Sequence, residues 1–366
     1  MKEKFSEIAK YFSLDGDVIS YDVISFGHIN QTYSVYISLG EKVDHYVFQK
    51  INVFVFKNPK RIMKNIERIT AHIAQKLEER GKSRDGVMHF LSTSEGKNYY
   101  VEEQGFWRIS EYVPNTYSLN RCDDLDKMRS AGMAFGEFQN MLSDFDASLL
   151  YETIPGFHDT RSRIAVLFKH YNEDPCDRAV EVTDEIEKIK AFKHHAIHFN
   201  ELLDAKVIPI RVTHNDTKIN NVLFDIDTGE AKTVIDLDTV MPGLVAYDFG
   251  DAIRFGANTA AEDEADLSKV GVDIERFRAF AEGFIPCVVK TLTPIEIETL
   301  ALGAFVMTAE VGIRFLDDYI TGDQYFKIAY RDHNLVRARC QIRLAEDILA
   351  HMDELNQIVY EIASRK

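Results

Sequence analysis

The stretch Thr213-His214-Asn215-Asp216-Thr217-Lys218-Ile219-Asn220-Asn221, continued as VLFDIDTGEAKTVIDLDT to Thr239, decides how the rest of this chain is read. His214, Asp216 and Asn221 follow the spacing H-x-D-x-x-x-x-N, and Asp236 closes an apolar run behind them. Residues 222–224 and 233–235 read as two short β-strands, with Asp227-Thr228-Gly229-Glu230 as the turn joining them. A two-residue loop at Thr228-Gly229 pairs Asp227 with Glu230 and sets Asn221 directly opposite Asp236, their Cβ atoms about 5 Å apart. An amide oxygen and a carboxylate then converge. Thr-Gly is a weaker turn signal than Asn-Gly, and a bulge there would shift the register by one residue.

An acid five residues ahead of an amide, with a second acid at a strand end, is the arrangement that phosphoryl transfer from a nucleotide uses. Magnesium on nucleotide phosphates takes one or two protein oxygens and completes its octahedron with phosphate and water, so Asn221 and Asp236 are the expected ligands. Asp216, ahead of the first strand, is the expected base that orients an acceptor hydroxyl and takes its proton. Lys218 is placed to offset charge on the transferring phosphoryl oxygens. His214 reads as a residue that holds the loop. The same residues can also be drawn as a core histidine, a strand cap and a solvated strand end; the hairpin and Asp236 together favour the chemical reading.

Composition sets the frame for that reaction. The 366 residues suffice for two sizeable cores, and 45% hydrophobic with 28% charged residues is the balance of a globular protein. A formal net charge of -16 argues against nucleic acid or an anionic membrane as partner, since both reward basic surface. ATP is an anion too, so the site needs its own local positive field. Cys122, Cys176, Cys287 and Cys340 are scattered without a C-x-x-C pair, which suggests neither zinc nor a redox motif and fits reduced thiols in the cytoplasm. The opening MKEKFSEIAKYFSL has Phe5, Ile8 and Phe12 at helical spacing among charges, a docking helix and not an export signal. The longest apolar stretch, residues 300–309, is far shorter than the roughly 20 residues of a membrane span.

From residue 18 to 51 the pattern is β: VISYDVI, TYSVYISL and HYVFQKI make a small antiparallel sheet. The turn at 25–32, with Gly27, lies where a flap would cover ATP. A kinase places a lysine on the third strand and pairs it with a helix glutamate. Lys50 is the candidate and Glu67 its expected partner, although alternation turns only one of Gln49 and Lys50 into the cleft. Asn58 as cap, Pro59 in the first turn and Gly81 at the end delimit the helix that carries Glu67. Residues 99–101 and 106–109 read as further strands, leading to a hinge where the backbone of Glu111 and Val113 would meet adenine. The expected organisation is a nucleotide-binding lobe at 1–110, a hinge at 111–114 and a mainly helical catalytic and substrate lobe at 115–366. Within the latter, residues 123–145 and 184–204 show helical periodicity, with a loop at 155–161. Asp248 and Asp251 read as caps or clamps on the catalytic loop. Thr293-Pro294 caps a helix expected to run to Asp318, and Asn334 begins the last one. Arg314, on the apolar face of the former, either pairs with an acid or reads the substrate.

These motifs resemble the aminoglycoside phosphotransferase and choline kinase superfamily, whose fold is protein-kinase-like. The stretches Gly27-His28-Ile29-Asn30, RVTHNDTKINN, IDLDTVMPG, DFGDAIRFGA, EDEADLSKV, RFLDDYITGD and HNLVRARCQI extend the likeness to the N-acetylhexosamine 1-kinase group within it. The resemblance implies an α+β two-lobed fold, a small antiparallel sheet beside a larger helical lobe. It also implies ATP-dependent, magnesium-dependent phosphorylation of the anomeric hydroxyl of N-acetylglucosamine or N-acetylgalactosamine. It carries the base role onto Asp216 and the metal roles onto Asn221 and Asp236, and it nominates His28, Arg314 and Tyr325 for the sugar. Rival readings are a phosphotransferase of the same fold acting on choline, an aminoglycoside or another small alcohol, and a nucleotide-binding pseudokinase. Choline would call for an aromatic cage, and the single Trp107 falls near the hinge. A pseudokinase would lack one of Asp216, Asn221 and Asp236, and all three are present. Neither the preferred epimer nor the oligomeric state is encoded in these motifs.

Overall fold

The computed structural model describes residues 1–24, 29–40, 42–103 and 105–365. By its internal contacts the chain divides into two compact units: Met1–Tyr117 with Ser148–Ile154 and Leu223–Met241, and Ser118–Ala147 with Pro155–Val222 and Pro242–Lys366. The hairpin after the catalytic loop thus falls with the sheet unit and not with the helices that flank it in sequence.

The first unit runs α1 (Lys2–Tyr11), β1 (Asp17–Ile24), β2 (Gln31–Leu39), β3 (Lys42–Ile51), α2 (Pro59–Glu79), β4 (Tyr100–Glu102), β5 (Gly105–Glu111) and β6 (Thr116–Tyr117). Its antiparallel sheet has the order β1-β2-β3-β5-β4. Alternation sorts the strands into two faces. Val35, Ile37, Tyr46, Phe48, Trp107 and Ile109 are buried together with Phe5, Ile8 and Ala9 of α1, and the Phe5 ring stands edge-on to Phe48 at 5.5 Å. The N-terminal helix therefore docks as its spacing predicts. The opposite face is polar yet buried, with Thr32, Ser34, Arg108 and Ser110 all at or below 9% exposure; Gln49 sits among them, paired with Thr32 on one side and Arg108 on the other. On α2, Pro59 opens the helix and the stripe Ile62, Ile66, Ile69, Ile73 and Leu77 is buried, while Asn58 makes no side-chain cap bond. Gly81, at φ +65°, ends it.

The hairpin differs from its expected form. Its strands are Val222–Asp225 and Ala231–Val234. The Asp225 amide donates to the Glu230 carbonyl at 2.8 Å, and Gly229, at φ +72°, donates back to the Asp225 carbonyl at 2.9 Å. The loop is thus four residues long, and the closing pair is Asp225 with Glu230, not Asp227 with Glu230. The Asp225 carboxylate accepts from the amides of Asp227 and Thr228, which draws two would-be strand residues into the turn. Asn221 and Asp236 consequently lie outside the ladder: Asn221 ends a helical turn, Ile219–Asn221, and Asp236 leaves the second strand in the left-handed region at φ +60°.

The second unit is helical: α3 (Leu125–Met141), α4 (Thr160–Glu173), α5 (Thr183–Ala196), α6 (His198–Asp204), α7 (Val245–Gly256), α8 (Ile274–Val288), α9 (Pro294–Glu298), α10 (Leu300–Ile320), α11 (His333–Ala350) and α12 (Met352–Ala363). The helix expected to run unbroken from Pro294 breaks at Thr299, whose hydroxyl bonds back to the Ile295 carbonyl at 2.7 Å. A second break at His351 splits the C-terminal helix. Helix α4 begins inside the expected loop, at Thr160, where the Asp159 carboxylate accepts from the Ser162 amide. Two crossings rest on glycine. A methyl group on Gly283 of α8 would meet the Arg129 carbonyl of α3, and one on Gly303 of α10 would meet the Ala246 carbonyl of α7. Among the described residues no helix is long and apolar enough to cross a membrane.

Because both crossings bring backbone against backbone, neither can yield by a side-chain rotation. Gly283→Ala and Gly303→Ala should each lower stability by about 1–3 kcal/mol or more, read as a drop in melting temperature. An unchanged melting curve for either would show that the helices separate without cost.

Candidate active site

The catalytic segment leaves the strand Arg211–Thr213 and turns through Asn215, a non-glycine residue at φ +63°. Asn tolerates this region better than most residues, and here the turn is pinned from both sides. The His214 and Asn215 amides donate to the two carboxylate oxygens of Asp248 at 2.8 and 2.7 Å. Gln139 of α3 also donates to that carboxylate, and the Thr217 hydroxyl to the Asp248 carbonyl. Asp248 has no exposure; burial pushes its carboxyl up, and the donors offset part of that. It is a clamp, as its place at the start of α7 suggests. Gly243 contributes room, since a Cβ there would meet Thr213 Oγ1 and lie 3.1 Å from Asn215 Oδ1. The His214 ring stands edge-on to Phe135 and Phe138 at 5.8 and 5.7 Å, and its Nδ1 accepts from the Asp216 amide at 3.3 Å.

Asp216 is half-buried and meets a donor on each oxygen: Lys218 Nζ at 2.9 Å from Oδ1 and Asn221 Nδ2 at 3.0 Å from Oδ2. Burial works against its charge, but Lys218 above all, with Asn221, holds the carboxyl below its usual range. Asp216 in turn raises Lys218. Each carboxylate oxygen keeps a second lone pair. Asn221 also donates to the Asp216 carbonyl at 2.8 Å, so its amide nitrogen is committed and Oδ1 is left as a hard oxygen donor. Asp251, one helical turn on, is neutralised by Arg254 at 2.9 Å, which also reaches Glu262 at 2.8 Å.

A second group of side chains in the same unit gathers around Arg314. Its half-buried guanidinium lies over Phe157, Tyr325 and Phe326 at 5.3, 5.7 and 5.4 Å. Among the described residues no carboxylate is in ion-pair contact with it, so structural pairing with an acid is not what holds Arg314. The loop that brings Tyr325 is tied down by one carboxylate: Asp318 accepts from the amides of Gln324, Tyr325 and Phe326 at 2.8–2.9 Å and from Asn334 Nδ2 at 2.9 Å. The runs RFLDDYITGD and HNLVR thereby meet in one network. Behind it, buried Glu310 takes His158 at 2.9 Å and Thr160 at 2.7 Å; burial opposes its charge, yet His158 and Arg163 bring its carboxyl down to about 2.

The sheet unit holds the other candidates. Gly27 and His28 lie outside the described residues. Lys50 falls on the α1 side of the sheet, its Nζ 6.0 Å over the Trp107 ring, and Gln49 takes the other side, accepting from Arg108 Nε at 2.9 Å. Glu67 is exposed and paired with Lys64 at 3.0 Å, so Lys50 and Glu67 are not brought together. Glu111 faces His89 at 3.1 Å, and the Val113 carbonyl accepts from Thr116 at 2.8 Å. Two side chains that sequence reading passed over are Gln139, on Asp248, and Arg108. Arg108 is 1% exposed and forms an ion pair with Asp238, 2% exposed, two residues past Asp236. A charged residue inside the apolar run Phe106-Trp107-Arg108-Ile109 was the available signal. Among the described residues no group of three or more His, Cys, Asp or Glu is arranged to hold a metal.

Solved structures share this fold at low identity. A spectinomycin phosphotransferase, determined with ADP and spectinomycin, is 13% identical with a TM-score of 0.54 over 99% of this chain and 97% of its own. An aminoglycoside phosphotransferase from Alicyclobacillus acidocaldarius is 13% identical with a TM-score of 0.57 over 97% and 96%. A choline kinase from Cryptosporidium parvum is 12% identical with a TM-score of 0.52 over 94% and 93%. These establish a kinase-like fold of sheet and helical parts. Residues 68–280, more than half of the chain, match the phosphotransferase enzyme family (APH), and the chain, a phosphotransferase of hydroxyl acceptors, belongs to that family.

Proposed function

We propose that this phosphotransferase uses ATP and magnesium to phosphorylate the anomeric hydroxyl of an N-acetylhexosamine, giving the sugar 1-phosphate. The observation that carries the acceptor class is Arg314, a guanidinium framed by three aromatic rings and, among the described residues, without a carboxylate partner. Aromatic faces suit the C–H face of a pyranose, and guanidinium N–H groups suit hydroxyl and acetamido oxygens. A cationic acceptor such as choline or an aminoglycoside would meet like charge there, which favours a neutral sugar. The run from His28 and the loop with Tyr325 complete the nominated sugar contacts. Use of ATP is supported by ADP in the spectinomycin phosphotransferase of the same fold. For the nucleotide, the nominations are the backbone groups of Glu111 and Val113 for adenine and, from the sequence, Gly27 for the phosphates. Lys50 and Glu67 are the weaker nominations, because the lysine lies against Trp107.

In the reaction, Asp216 orients the acceptor hydroxyl. As the hydroxyl oxygen bonds to the γ-phosphorus, its proton passes to the Asp216 carboxylate and ADP departs. Lys218 offsets charge on the transferring oxygens. Asn221 and Asp236 are the oxygen donors for magnesium, which when bound neutralises the phosphates. The reading further implies a cytoplasmic enzyme of carbohydrate metabolism.

A screen of sugars and amino alcohols with ATP and magnesium, product position assigned by phosphorus NMR, tests the proposal directly: turnover confined to amino alcohols would overturn it. Asp216→Asn should cut kcat by at least about a hundredfold while nucleotide still binds, since the base acts on the acceptor. In the pH profile of kcat/KM, Lys218→Met should move the acidic limb to higher pH. The lysine holds the Asp216 carboxyl down, so removing it raises the pH at which the base is lost. Arg314→Ala should raise the KM for N-acetylhexosamine at least about tenfold and leave that for ATP unchanged. A variant that melts early with both KM values shifted alike would return Arg314 to a packing role.

A further inference from the structure

We propose that Arg108 is the positioning residue for the metal carboxylate Asp236, acting through its buried ion pair with Asp238. The proposal rests on the reading of Asp236 as a magnesium ligand. Asp236 sits at φ +60° and ψ 60°, a conformation that a non-glycine residue keeps only where its surroundings over-determine it. Several contacts act on the turn just beyond it. Asp238 takes Arg108 on Oδ1 and Asn30 Nδ2 on Oδ2, the latter at 2.6 Å. Asn30 in turn accepts from the Asn52 amide at 3.0 Å. The Asp238 carbonyl accepts from Thr153 at 3.3 Å, and the Val240 carbonyl from Asn65 of α2 at 2.9 Å. Residues 238–240 are thus fastened to the strand β5, to the end of β3, to α2 and to the segment 148–154.

Arg108 is the charged member of that set, and its geometry is specified from the sheet side as well. Its Nε donates to Gln49 at 2.9 Å, and Gln49 donates to Thr32 at 3.2 Å, so the guanidinium is oriented by three adjacent strands. A buried ion pair is seldom more stabilising than apolar residues of the same volume, which points to a role in fixing geometry. Gln49 lies on the face of the sheet away from α1, and the cation stands one strand over. With its N–H groups on Gln49 and Asp238, Arg108 reaches the metal only by setting where Asp238, and with it the preceding residue pair, must lie. This places it among the residues behind the ligands, whose loss weakens metal binding about 10–100-fold in other sites.

The test measures Mn2+ binding in the presence of ADP by electron paramagnetic resonance, alongside thermal melting, in three variants of the full chain. Asp236→Ala checks the underlying reading: normal Mn2+ affinity there overturns the metal role and this proposal with it. The charge-cancelled pair Arg108→Met with Asp238→Asn should stay folded and bind Mn2+ at least about tenfold more weakly. Wild-type affinity in that folded double variant, with Asp236→Ala defective, overturns the positioning role and leaves the metal reading standing. Should the double variant melt without a folded baseline, Arg108→Lys carries the test. A lysine keeps the charge but cannot bond Gln49 and Asp238 together in the fork of a guanidinium, so weakened Mn2+ binding in a folded protein supports the proposal and unchanged binding overturns it.

Discussion

Two consecutive backbone amides, those of His214 and Asn215, donate to the two oxygens of Asp248, a carboxylate with no solvent exposure. The catalytic segment is built on that contact. An extended chain cannot present neighbouring amides to one acceptor, so the clamp requires the left-handed turn at Asn215. That turn sends Asp216 away from the strand and brings Asn221 back to it within five residues. The acceptor end is equally constrained: Asp248 lies in the first turn of α7, where the helix dipole favours an anion, and Gln139 holds it from α3. Burial raises the cost of leaving that carboxylate unpaired, and the amides are what make it tolerable. The loop and the helix start are in this sense one object.

The same economy of carboxylates recurs around Arg314. Asp318 collects three successive amides of the loop that carries Tyr325, and Glu310 collects His158 and Thr160 beneath it. An acid that gathers several donors fixes a backbone path more tightly than apolar packing does, because both distance and direction are restricted. Arg314, by contrast, is held by ring faces, contacts that leave its N–H groups available. The helical unit uses saturated carboxylates as fasteners and frames the Arg314 cation with rings.

How much of this was legible in sequence follows from the range of each interaction. The catalytic loop could be read because His214, Asp216, Lys218 and Asn221 interact within one turn, where spacing translates directly into geometry. The docking helix and the alternating strands were legible for the same reason. The hairpin register was not. It depended on whether Asp225 would accept amides from inside the turn, and side-chain capture of backbone competes with strand pairing on nearly equal terms. Arg108 and Gln139 were missed because their partners lie 130 and 109 positions away, and no local pattern announces them. Residues 25–28, which include Gly27 and His28, lie outside the described residues.

The crossing of α7 and α10 at Gly250 and Gly303, where each backbone would strike a methyl group on the other, has a further consequence for what can change around Arg314. Asp248 stands two residues before Gly250, and Arg314 eleven residues beyond Gly303, about 16 Å along the helix axis. With no side chain between the two backbones, the crossing serves as the fixed origin of a ruler that starts at the Asp248 clamp and ends at Arg314. Exchange of the group at the far end, or of the loops bearing Phe157 and Tyr325, re-marks the ruler without moving its zero. The surroundings of Arg314 can therefore change while the loop clamped by Asp248 stays where it is.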